Sequence, residues 1–170
     1  MPWSPAQRVR LAAERNKLDR YFPGCVKWID PTGDTKVEVA LKTNDDNKYT
    51  LRIYIGNFPN SIPEMVVVSS PKPMPADWEN SSVTHTLSKR DGYLQICHWH
   101  SSHWTDRISL HEVVLKGRLW FEAYEGHIRT GQPMSYFLRE MVSTGSTRLL
   151  SSFVRNAFRQ ETEQQECVIS

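Results

Sequence analysis

The sequence predicts an α+β domain: an N-terminal helix, a four-stranded antiparallel meander, a long cysteine-bearing loop, then C-terminal helices. Three observations carry this. Apolar spacing changes from a 3.6-residue to a 2-residue period after Pro23-Gly24. The connections between the following alternating segments are too short for the crossover that parallel strands need. Helical spacing returns only after Ser109. With 170 residues, one core is expected, so the whole chain is read as a single domain, with about 160–170 as a flexible tail that is wholly polar from Gln160 to Glu166.

Taken in order, Ser4-Pro5 reads as an N-cap with proline at the first helical position, where its missing N–H costs nothing. Leu11, Leu18 and Phe22 then share one helical face until Pro23-Gly24 stops it. Val26 and Trp28 alternate before a turn at Pro31 to Asp34; Val37, Val39 and Leu41 form a second strand. Tyr49, Leu51, Ile53 and Ile55 alternate after the Asn44 to Asn47 turn, and Met65 to Val68 is a short apolar strand. From Ser69 to Thr105 the period fades, and an irregular stretch is expected; such a length within a compact domain usually serves function. Ser109 and Glu112 form a capping box ahead of a helix that Gly131 and Pro133 end. A short helix over Tyr136 to Val142 and an amphipathic one over Leu149 to Phe158 follow.

Composition removes several classes. Apolar residues at 39% with six Trp, six Tyr and six Phe are too many for a chain that stays disordered. The net charge of +2, without a basic block, predicts no nucleic-acid partner. No apolar run approaches the roughly 20 residues that span a bilayer, and the first 16 residues hold no signal-peptide core, so no membrane association and a cytoplasmic location are expected. Three cysteines, Cys25, Cys97 and Cys167, are an odd count that closes no disulfide framework, which fits a reducing compartment. Cys25, at a strand start, reads as a packed thiol and Cys167 as a free tail thiol. Trp28, Trp104 and Trp120 lie where a core would be built.

Cys97 stands apart because His98, His100 and His103 follow it closely. A thiolate is the nucleophile, and a nearby imidazole can help ionise a thiol, orient an incoming group or donate to an oxyanion. The same residues read as C-H-x-H-x-x-H offer four zinc ligands, but structural zinc sites usually draw two ligand pairs from separate places, so no metal is expected. Neither G-x-x-x-x-G-K-[ST] nor G-x-G-x-x-G occurs, so the chain has no sequence signature for ATP-dependent activation, and no cofactor is expected.

The order of elements, with Phe58-Pro59 and Ile62-Pro63, His85, Gly92, Ile96-Cys97, Trp104 and Ser109-Leu110, resembles a ubiquitin-conjugating enzyme over about Ala6 to Tyr124. The segments Cys97 to Trp104, Trp120 to Glu125 and Thr130-Gly131 are more similar to the bacterial branch found in cyclic-oligonucleotide-based antiphage operons. The resemblance implies a ubiquitin-conjugating fold and a thioester on Cys97. It implies as partner a cGAS-like nucleotidyltransferase, engaged through its C-terminus, together with a separate activating enzyme. The family's His-Pro-Asn motif reads His85-Thr86-Leu87 here, so the asparagine is absent. His100 or His103 could take its role, with His98 on the alternate side of the strand path, or the chain could be a non-catalytic protein-binding module on the same fold.

Overall fold

The computed structural model describes residues 3–31 and 33–143. Helix α1 (Pro5–Tyr21) begins where Ser4 predicts. The Ser4 hydroxyl accepts from the Gln7 N–H at 3.2 Å, and the Gln7 side chain accepts from the Ser4 N–H at 3.0 Å, satisfying two donors that a helix start leaves free. Strands β1 (Val26–Ile29), β2 (Lys36–Lys42), β3 (Lys48–Tyr54) and β4 (Glu64–Ser69) pair antiparallel in sequence order. Their alternation puts Val37, Val39, Leu41, Tyr49, Leu51, Ile53, Met65 and Val67 in the core.

The sheet has six strands, which corrects the expectation of a four-stranded meander followed by an irregular stretch. Strands β5 (Thr86–Arg90) and β6 (Tyr93–Ile96) form a hairpin, and β6 pairs with β4, giving the order β1-β2-β3-β4-β6-β5. Its two-residue turn is Asp91-Gly92, with φ of 52° and 81°. Positive φ at both central residues is what the right-handed twist of paired strands asks of so short a turn, and glycine adopts it without a Cβ clash. The turn is tied back to the meander: the Tyr54 hydroxyl donates to Asp91 Oδ2 at 2.6 Å, and Arg90 pairs with Glu64.

Helix α2 (Leu110–Thr130) lies against the buried sheet face, started by the Ser109 and Glu112 capping box and ended by Gly131 at φ 72°. Its approach is close. A Cβ on Gly117 would stand 2.3 Å from Leu51 Cδ1 and 2.7 Å from Met65 Sδ. Helix α3 (Met134–Ser143) packs on α2, with the Phe137 ring close over Gly126 and Met134 and Leu138 buried in the core.

Helix α1 grips the entrance to α2. Arg10 donates to the carbonyls of Asp106 at 2.6 Å and Ile108 at 2.7 Å, while buried Glu14 holds Arg10 Nε at 2.7 Å and accepts from the Leu110 N–H at 2.8 Å. A carboxylate there also complements the positive end of the helix dipole.

Cys25 is buried in the core, but its sulfur is disulfide-bonded, which corrects the expectation of a packed thiol and removes the odd-count argument for a reducing compartment. Cys167, the helix expected over 149–158 and the tail at 160–170 lie outside the described residues. Among the described residues no helix is long and apolar enough to cross a membrane.

Candidate active site

Cys97 follows the last residue of β6. The final rung of the β5/β6 ladder pairs Thr86 with Ile96, and one residue further the Cys97 N–H donates to the His85 carbonyl at 2.8 Å. The hairpin therefore makes neighbours of two residues twelve apart in sequence. His85 adopts φ 53°, a left-handed conformation uncommon for a residue with a Cβ. From the other side the indole N–H of Trp120 reaches the carbonyls of Thr84 at 3.1 Å and His85 at 3.2 Å. The hydroxyls of Thr84 and Thr86, both buried, lie 2.9 Å apart beneath the same turn.

The Cys97 thiol is free and half-buried, and no described side chain hydrogen-bonds it. A partly accessible sulfur without a buried partner is a geometry in which a nucleophile can be reached.

The histidines around it divide by environment. His98 turns its ring inward: Nδ1 lies 3.5 Å from the Ile96 carbonyl, and Nε2 is sealed from solvent with no hydrogen-bond partner. Burial, with the nearby Lys116 ammonium adding to it, pushes its pKa down to about 4, so the ring is neutral and a weak base at neutral pH. His100 and His103 are exposed, their ring centroids 5.9 Å apart. His100 Nδ1 accepts from the Ser102 N–H at 3.3 Å and lies 2.6 Å from the Ser102 hydroxyl, capping the 3-10 turn Ser101–His103. Because Nδ1 accepts, a neutral His100 carries its proton on Nε2. His85 is half-buried, and burial lowers its pKa.

An aromatic wall supports the segment after Cys97. The Trp104 indole donates to the Pro59 carbonyl at 3.0 Å and meets Trp99 and Phe58 edge-on, at 5.7 and 6.2 Å between centroids. The Lys116 ammonium, from α2, lies 5.2 Å from the centroid of the Trp99 ring. Burial lowers the Lys116 pKa.

Among the described residues no group of three or more His, Cys, Asp or Glu is arranged to hold a metal ion, so the folded segment does not gather the C-H-x-H-x-x-H residues into a zinc site. The structure thus brings His85 to Cys97 through the backbone, buries part of His98, and leaves His100 and His103 on the adjoining exposed turn. Trp120 and Lys116 were not legible as site residues. Helical periodicity assigns a tryptophan to the core but says nothing of which carbonyl its N–H meets, and a lone lysine carries no spacing signal. No family model, curated protein or solved structure matches the chain.

Proposed function

We propose that this chain is a ubiquitin-conjugating-like transferase, of the ubiquitin-conjugating fold, that carries an acyl group as a thioester on Cys97. The observation that supports it best is the placement of a free, half-buried thiol at the end of β6, tied by its backbone to His85 and followed by an exposed histidine turn.

The chemistry is acyl exchange. The Cys97 thiolate attacks the carbonyl carbon of a C-terminus already activated by another enzyme; a C–S bond forms, and the activating group leaves with the electron pair of the bond it breaks. An incoming amine then attacks the thioester, loses a proton to a base, and expels the Cys97 thiolate. His100 and His103 are the exposed imidazoles nearest in sequence that can take that proton, and the left-handed His85 turn holds the backbone beside the sulfur. By the resemblance, the protein handled is a cGAS-like nucleotidyltransferase engaged through its C-terminus in antiphage signalling in the cytoplasm.

The test incubates the chain with an activating enzyme, ATP and a donor protein, and follows adducts on non-reducing gels. Wild type is expected to carry a reductant-labile adduct, Cys97→Ser a reductant-resistant oxyester and Cys97→Ala none. An adduct of the same mobility on Cys97→Ala removes Cys97 from the mechanism.

A second reading, a non-catalytic protein-binding module on the same fold, draws on the missing asparagine and on a thiol that no described side chain engages. Alkylation separates the two. The enzyme reading expects Cys97 to be the preferred site of labelling, whereas the binding-module reading expects it to be slow or unlabelled.

A further inference from the structure

We infer that Trp120 is a positioning residue for Cys97, acting through the carbonyl of His85; the catalytic part of this inference rests on the proposed thioester chemistry. The His85 carbonyl is a shared acceptor, taking the Cys97 N–H at 2.8 Å and the Trp120 indole N–H at 3.2 Å. One oxygen therefore joins a strand end, a left-handed turn and the middle of a helix.

The direction of control follows from rigidity. Trp120 is 1% exposed, stacked on Tyr124 at 5.6 Å with planes 5° apart and edge-on to Phe121 at 5.8 Å, so its N–H is aimed by the packed core. His85 has less to hold it: it is half-buried, and its φ of 53° is uncommon for a residue with a Cβ. The indole meets this turn at two successive carbonyls, Thr84 and His85, and so fixes the orientation of the peptide that Cys97 binds. The Cys97 N–H bond to the His85 carbonyl fixes the backbone from which the Cα–Cβ bond of Cys97 projects, and that backbone is referenced to α2 through Trp120. The indole does not touch the acyl group; it holds the carbonyl that holds the cysteine.

Trp120→Phe keeps an aromatic ring and removes the donor. Val37→Ala, a core truncation on β2, serves as the control for lost stability alone. Amide hydrogen exchange at Cys97 is expected to accelerate about ten-fold more in Trp120→Phe than in the control, the effect of losing one net hydrogen bond, and kcat for thioester formation to fall about ten-fold with KM for the donor unchanged. Equal Cys97 exchange in the two variants overturns the inference, as does a rise in KM with kcat preserved. Should the phenylalanine variant fail to fold, Trp120→3-benzothienylalanine, which replaces the indole N–H by sulfur in nearly the same shape, is held to the same criteria. The exchange measurement needs no turnover. A wild type that forms no thioester would defeat the enzymatic reading, while faster exchange would still establish the structural link from Trp120 to Cys97.

Discussion

The two flanks of Cys97 are built on different principles. Upstream, residues 84 to 96 are held by a ladder, a two-residue turn and the buried indole of Trp120, and Thr84, Thr86, Leu94 and Ile96 are all buried. Downstream, residues 98 to 104 are held by a short 3-10 turn, a histidine cap and the bond from Trp104 to Pro59, and His100 and His103 face solvent. One side fixes the backbone of Cys97, and the other presents exposed imidazoles. The contrast teaches that the backbone on one side of a half-buried thiol can be tied to the core while the side chains on the other side stay in solvent.

The strongest challenge to this contrast lies at the far end of the downstream flank, where α1 anchors the chain. Glu14→Ala would leave Arg10 Nε and the buried Leu110 N–H without an acceptor, at a cost of about 3 kcal/mol for the two donors together, read from the urea midpoint. A loss below about 1 kcal/mol would mean that the flank is held elsewhere.

Next comes acid. The His98 pKa is lowered from 6.5 to about 4 in the fold, so between those values the unfolded chain binds a proton that the folded one does not. Stability therefore falls as pH drops from 6.5 to 4, by up to roughly 3 kcal/mol. His98→Leu should flatten most of this slope, with a remainder from His85 and His111, whose values burial also lowers. An unchanged slope in His98→Leu would show that His98 is not buried as described.

On the upstream side, Gly92→Val places a β-branched residue at φ 81° and should cost about 2 kcal/mol through backbone strain, since nothing lies within 4 Å of the added Cβ. Hydrogen exchange should speed at Gln95 and Cys97 before it speeds in β2. The smallest effect on stability is His100→Ala, which removes a cap from a one-turn helix and should cost under about 1 kcal/mol. If the downstream flank supplies chemistry, the same substitution slows acyl transfer at least several-fold while leaving the urea midpoint nearly in place.

Local signals explain which elements were legible. Ser4-Pro5, Ser109 with Glu112, and the strict alternation of Val37 to Leu41 are short-range devices whose effect needs no distant residue, and each element appears where the sequence puts it. The β5/β6 hairpin was hidden although Asp91-Gly92 is a strong two-residue turn signal. Only four residues of β6 follow it, and β5 exposes Leu87, Ser88 and Lys89, so neither strand shows a clean alternation.

The site follows the same division. The sequence by itself determined the caps, the first four of the six strands and the helix that backs them, and it singled out Cys97 and its neighbouring histidines as candidates. Only the tertiary structure decided that His98 Nε2 is sealed while His100 and His103 are exposed, that among the described residues the four candidate zinc ligands form no metal-holding group, and that Trp120 meets the carbonyl bound by Cys97. The physical reason is range: capping and alternation act within a few residues, whereas the burial of an imidazole and the acceptor of an indole N–H depend on which distant elements close over them.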